Sequence, residues 1–210
     1  MGNRFPRRAR RLLTIAAALV AATALAACGG DGAGDGAADG SDTATPRSSV
    51  VAKQTAARRL ARAPAALRAN AADADTLAGE GVDALKQRLA RLRGHPVVVN
   101  QWSSWCGPCR AEFPFFADAV VAHGDEVAFV GIDFTDDRDS ATQFLRESPP
   151  GFASIYDPKG DAARSLGGGR VAPTTFFIGR DGERAYTKLG GYQDAGALEA
   201  DVRRYALTAR

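Results

Sequence analysis

Cysteine and histidine are scarce in this chain. Among 210 residues there are three cysteines and two histidines, His95 and His123. A structural zinc centre needs four ligands, and two of the cysteines, Cys106 and Cys109, supply only half a set. His95 precedes a proline and His123 precedes Gly124, so both read as surface or capping residues. A copper carrier would need a wider cysteine spacing and a histidine near the pair. No metal and no cofactor is therefore expected. Long apolar runs are missing too. The stretch from Leu12 to Ala27 is too short to span a bilayer comfortably. Nor is there a basic surface to expect. The formal charge is +3, but Arg4, Arg7, Arg8, Arg10 and Arg11 all precede residue 28 with no acid among them, and without them it becomes −2. Nothing in that balance points to nucleic acid.

What the N-terminus does have is a positive segment, an apolar core and small residues, the order of an export signal. It ends in "LAAC", Leu25 to Cys28. That tetrapeptide resembles a bacterial lipobox, which implies cleavage before Cys28 and lipid on its sulfur. An ordinary signal peptide cut at an alanine-rich site remains the alternative. The paired arginines leave the export route open between the general and twin-arginine pathways. On the lipobox reading, residues 1–27 are a lipoprotein signal peptide and the protein sits at the extracytoplasmic face of the cell membrane.

Residues 28–75 are expected to be a lipid-anchored flexible tether. The first part is almost only Gly, Ala, Asp and Ser and has little to bury. The second part, from Val51, is helix-prone but mostly alanine and is interrupted by Pro64. Residues 76–210 suit one domain with its own core.

Within that domain, Val82, Leu85, Leu89 and Leu92 recur at helical spacing before Gly94. "PVVVNQW", residues 96–102, and "EVAFVGIDF", residues 126–134, are short apolar runs that predict buried strands. A helix is expected from the first CGPC residues to about Ala122, bent at Pro114. Asp137 and Asp194 are candidate caps of two later helices. Residues 174–179 and 184–191 flank "RDG" and predict an antiparallel hairpin. The order implies an α/β domain, a mixed sheet with helices on both faces.

The pair in "SSWCGPCRAEFP", residues 103–114, is the candidate site. As a structural disulfide it would close a very small loop and remove little unfolded-state entropy. As a working dithiol it is well placed. A strand running into a helix puts Cys106 at a helix N-terminus, where unpaired amides and the helix dipole stabilise a thiolate. Gly107 and Pro108 shape the first turn, where a missing donor costs nothing. Cys106 is expected to be the exposed nucleophile, and Cys109, one turn on, the thiol that resolves a mixed disulfide formed there.

"WCGPC" together with "VAPTTF", residues 171–176, resembles the thioredoxin superfamily. The longer "WCGPCRAEFP" and the strand "VVVNQW" are similar to the TlpA-like, membrane-anchored thiol–disulfide oxidoreductases of the cytochrome c maturation type. The resemblance covers roughly residues 80 to 208. It implies a thioredoxin fold, with a helix and a strand inserted between the CxxC helix and the cis-proline strand. It implies a cis bond before Pro173, turning the backbone at Ala172 toward an extended substrate. It also implies that Glu112, on the cysteine helix, takes the proton of Cys109, because Asn100 stands where thioredoxins keep a buried aspartate. A solvated helix glutamate is the alternative. Trp102 is expected beneath the site and Trp105 on the contact surface. Gln101, where the family has an aromatic, is a departure that bears on partner choice.

These residues lead to an extracytoplasmic enzyme that exchanges disulfides with oxidised protein substrates; Gly107-Pro108 resembles the pair of reducing members, and without an electron donor the same domain would act as a disulfide donor. Apocytochrome c is a candidate substrate. A membrane thiol-transfer protein is the implied electron donor. The rival from another class is a redox-sensing or peptide-docking module without turnover. A peroxidase lacks its characteristic Pro and Thr context around a cysteine here.

Overall fold

A computed structural model describes residues 46–208. The arginine-rich leader, the "LAAC" motif with Cys28 and the Gly/Asp run up to residue 45 lie outside the described residues.

The centre of the domain is a sheet of six strands: β1 (Leu77–Glu80), β2 (Val97–Trp102), β3 (Ala128–Phe134), β4 (Ala153–Asp157), β5 (Thr174–Ile178) and β6 (Arg184–Leu189). Their spatial order is β1-β4-β3-β2-β5-β6. The first four are mutually parallel, whereas β5 and β6 run antiparallel, with β5 along β2. All six residues of β2 are buried, as expected of a central strand covered on both faces. The helices are α1 (Pro46–Leu60), α2 (Ala65–Ala71), α3 (Gly81–Arg91), α4 (Gly107–His123), α5 (Arg138–Glu147), α6 (Asp161–Ser165) and α7 (Ala195–Asp201). A π-helical turn, Val202–Leu207, continues α7. This is the mixed α/β thioredoxin-like architecture that the sequence implies. Between Cys109 and Pro173 the chain builds β3, α5, β4 and α6.

Successive side chains of a strand point to opposite faces, and β2 shows what that does here. Val97 and Val99 join Leu85, Leu92, Val130, Ile155 and Phe176 in one core. Val98 joins Phe116, Phe129, Phe177 and Leu198 in the other. The same alternation sends Asn100 toward α4 and Gln101 toward the loop after α6. At Gly131 a Cβ would lie 2.0 Å from Ser154 Oγ. Its absence leaves that hydroxyl free to accept from the Trp102 indole at 3.0 Å.

Local capping follows the sequence. Asp137 accepts from Ser140 N and Asp194 from Ala197 N, each satisfying a helix-terminal donor. Pro114 lies inside α4, which continues past it to His123.

The expected tether is corrected for residues 46–75. They form α1 and α2, and Ala63 and Leu67 are buried against Leu85 and Leu92. Asn70, also buried, donates to Phe129 O on β3 at 3.0 Å and accepts from Arg88 at 3.0 Å. Arg88 also pairs with Asp73 at 2.8 Å. Pro64, read as a breaker, is the N-cap of α2. Its carbonyl accepts from Leu67 N and Arg68 N. The apolar pattern is too sparse to reveal this attachment, which one leucine and a buried amide supply. β1 was likewise not anticipated. Leu77 and Ala78 are its only apolar residues, and it pairs with β4 at the sheet edge.

Candidate active site

β2 ends at Trp102 and the chain reaches Cys106 through three residues that the fold holds on several sides. Ser103 Oγ donates to Phe134 O at 2.5 Å. The backbone amide of Ser104 donates to Asp136, and its hydroxyl donates to the same carboxylate at 2.9 Å. Trp105 is 62% exposed, and its indole donates to Thr135 O at 3.3 Å. Trp102 is fully buried, edge-on to Phe113 at 5.1 Å, within a cluster that includes both cysteines, Phe144 and Leu145. Aromatic packing of this kind makes a rigid floor.

Cys106 is the N-cap of α4, and its sulfur accepts from Cys109 N at 3.2 Å. The two cysteines are joined in a disulfide with Cα atoms 5.3 Å apart. Cys106 keeps 5% exposure and Cys109 none. Cys106 is thus the outer sulfur-bearing residue but does not protrude. Gly107 and Pro108 are both exposed, and a Cβ at Gly107 would meet nothing within 4 Å, leaving open space beside the pair. When the disulfide is reduced, the amide–sulfur contact and the helix dipole act together to favour a thiolate at Cys106.

The Ala172–Pro173 peptide bond is cis. Pro173 O accepts from Gly190 N at 2.9 Å. A Cβ built on Gly191 would lie 3.4 Å from Pro108 and 3.5 Å from Pro173, so both prolines flank this one glycine. Ala172 packs against the cluster that holds the cysteines. Cys106, Cys109, Gly107, Pro108, Ala172 and Pro173 are therefore assembled in one place, with Trp105 at its rim.

Glu112 has no exposure, which overturns the alternative of a solvated glutamate. Its Oε1 accepts from Asn100 Nδ2 at 2.8 Å and its Oε2 from Tyr192 N at 2.9 Å. Burial pushes its carboxyl up to about 7, against the opposing pull of those two hydrogen bonds and of the Lys188 charge. Lys188 is held by the carbonyls of Gly190 and Gly191, both at 3.3 Å, with its ammonium 4.8 Å from the Tyr192 ring centre. A carboxyl with its midpoint near neutrality, one helical turn from Cys109, is suited to exchanging a proton with a thiol.

Three polar residues near the site have surroundings that the sequence did not reveal. Gln101 is fully buried and bridges the loop before Pro173: its amide donates to Val171 O at 2.9 Å and its carbonyl accepts from Gly169 N at 2.9 Å. Asp133, at the end of β3, is fully buried, and neither carboxylate oxygen has a donor. Burial first, then neighbouring Asp136, pushes it up to about 9. Asp136 anchors Ser104. Gln101 carried a signal, since it departs from the family's aromatic. The aspartates carried none: Asp136 reaches Ser104 across 32 positions, and Asp133 is set apart only by its burial. The histidines lie elsewhere: His123 pairs with Glu199 of α7 at 2.7 Å.

The AhpC/TSA family matches residues 69–186, beginning inside α2. The thiol:disulfide interchange protein CycY of Rhizobium leguminosarum bv. viciae is 31% identical over 134 residues, covering 63% of this chain and 70% of that protein. The thiol:disulfide interchange protein DsbE of Yersinia pestis is 37% identical over 102 residues, covering 48% of this chain and 52% of its own length. The match thus spans only about half of the latter relative. Among solved structures, a DsbF homologue from Corynebacterium diphtheriae superposes with a TM-score of 0.52 at 31% identity, covering 60% of this chain and 82% of that one. The fold, the assembled dithiol and these similarities agree: the chain belongs to the AhpC/TSA family, among its thioredoxin-like thiol–disulfide oxidoreductases.

Proposed function

We propose that this protein reduces disulfides in protein substrates at the extracytoplasmic face of the membrane, held there by lipid on Cys28. Apocytochrome c is one substrate of suitable chemistry, since its cysteines must be reduced before haem is attached. The observation that carries the proposal is the pairing of Cys106, capped by Cys109 N at 3.2 Å, with the buried Glu112 on the same helix.

In the reduced enzyme the Cys106 thiolate attacks one sulfur of a substrate disulfide. The substrate's other sulfur leaves as a thiolate and takes a proton from water. Cys109 then gives its proton to Glu112 and attacks Cys106, releasing the second substrate thiol. Two electrons pass to the substrate, and the Cys106–Cys109 disulfide remains. A membrane thiol-transfer protein restores the dithiol. Ala172, beside the cysteines, pairs through its backbone with the extended substrate, while Trp105 covers one side of it.

Turnover separates this reading from a docking or sensing module. The wild type should reduce insulin disulfides catalytically with a chemical thiol as electron source, and Cys106→Ser should not. Equal rates for the two would end the proposal. Cys109→Ser should trap substrates as mixed disulfides that mass spectrometry identifies. For the anchor, wild-type protein should partition with membranes and Cys28→Ala should not. Wild type that is wholly soluble with an unmodified N-terminus would remove the lipid from the scheme.

A further inference from the structure

Beside the cis-proline lies a groove of about 510 Å³ whose lining includes Arg164, Arg170, Val171 and Leu189. Val171 and Leu189 are 44% and 64% exposed, and apolar surface of this kind rimmed by polar residues is suited to contact with a partner. The floor is the triple glycine 167–169. Gly167 and Gly169 have φ of +81° and +82°, and a Cβ on Gly168 would lie 2.3 Å from Gln101 Oε1. Cβ atoms on these glycines would run into Arg184, Gln101 and Arg164, so the packing of the loop depends on their having no side chains.

Gln101 ties this loop to β2. Its one amide group holds Gly169 N and Val171 O, the residues on either side of Arg170. Thr174 Oγ1 reinforces Val171 O at 2.7 Å. Arg170 is exposed, and among the described residues no carboxylate pairs with it, whereas Arg164 is engaged by Asp161 at 2.6 Å. A guanidinium presented from a fixed backbone has already lost part of the freedom that binding would remove. Its position is two residues along the chain from Ala172, the residue facing the cysteines. No acidic side chain lines the groove.

We infer that the loop clamped by Gln101 is a specificity element that selects substrates carrying an acidic side chain a few residues from the reactive cysteine, with Arg170 receiving the carboxylate and Val171 and Leu189 covering an adjacent apolar residue. This deepens the proposed function and rests on it. The occupant is an extended segment of an oxidised protein, lying along the 170–172 edge with its cysteine over Cys106. Arg170 acts on binding, so it shows in KM and in salt dependence.

The test uses three decapeptides, each with one cysteine capped as a mixed disulfide with 2-mercaptoethanol. They carry Glu, Gln or Lys two to four positions from the cysteine. Bis(2-hydroxyethyl) disulfide serves as a substrate without a peptide. Wild type should favour Glu over Lys in kcat/KM by about fivefold at low ionic strength, in the range of one exposed ion pair. The ratio should fall toward one in 0.5 M salt. Arg170→Glu should invert the Glu-to-Lys ratio, which is compared within the variant and so is independent of its overall rate. Turnover of the simple disulfide with equal rates for all three peptides overturns this inference and leaves the proposed function standing. A preference that survives Arg170→Glu overturns the assignment to Arg170. No turnover of any disulfide overturns both.

Discussion

Asn100 on β2 donates its side-chain amide to Glu112 on α4 across 2.8 Å, in a site where the glutamate is fully enclosed. The strand residue fixes the carboxyl's orientation, and the helix residue does the titrating. The second oxygen is held by Tyr192 N, just after Gly191, where a Cβ would lie 3.4 Å from Pro108 and 3.5 Å from Pro173. The proposed proton acceptor and the proposed substrate edge are thus tied to one short stretch of backbone.

Glu112→Gln should slow resolution of the mixed disulfide by about 10-fold or more, within the usual effect of losing a general base. With its midpoint raised to about 7, Glu112 becomes a proton acceptor as pH rises through neutrality. The wild-type resolution rate should therefore climb between about pH 6 and 8, and the variant should lose that inflection. Single-turnover reduction of a disulfide peptide across pH measures it. Superimposable profiles would send the proton to water instead.

The thiols should differ after reduction. Cys106 caps the helix and Cys109 has no exposure, so iodoacetamide near pH 7 should label Cys106 first, with a lower apparent pKa. Peptide mapping of partly alkylated protein reads the order. Preferential labelling of Cys109 would reverse the assigned roles.

How much of this was legible depends on how far apart the interacting residues are. The run "VVVNQW" announces a central strand because both of its faces must be apolar, and "CGPC" after it places a thiol at a helix start. Asp137 and Asp194 cap donors three residues away, so their roles lie within one local window. Gln101 is different. Its partners, Gly169 and Val171, are 68 and 70 positions away, and a polar residue in an apolar strand says only that something must satisfy it. Glu112 was readable as a candidate through family resemblance, but its enclosure by Asn100 and Tyr192 was not. Residues 46–75 were misread because alanine-rich helices announce no face, and Leu67 and Asn70 alone decide where α2 goes.

Leu67→Ala tests that attachment. Leu67 is 2% exposed in a core shared with Leu85 and Leu92, so truncation should cost about 2–5 kcal/mol. For a domain of this size each kcal/mol lowers Tm by about 2–4 °C, which thermal unfolding of the oxidised protein resolves. An unchanged Tm would return α2 to the role of a tether.

Asp133 gives the sharpest dependence on pH. It sits at the end of β3, opposite Trp102 of β2 and Tyr156 of β4. Asp136 and Asp157 raise its carboxyl further beyond the effect of burial, and Arg138 alone opposes them. Its midpoint moves from 3.8 to about 9. Between those values the folded protein holds one proton more than the unfolded chain, so stability falls as pH rises and levels off only above about 9. Asp133→Asn removes the titrating group and keeps a donor toward Asp136, the carboxylate that holds Ser104. The variant should be more stable than wild type by an amount that grows from pH 5 to pH 8.5, on the order of a few kcal/mol at the upper end. The check is Tm of both oxidised proteins at several pH values. A constant difference across that range would mean that Asp133 is already ionised in the fold, with a donor other than the groups around it.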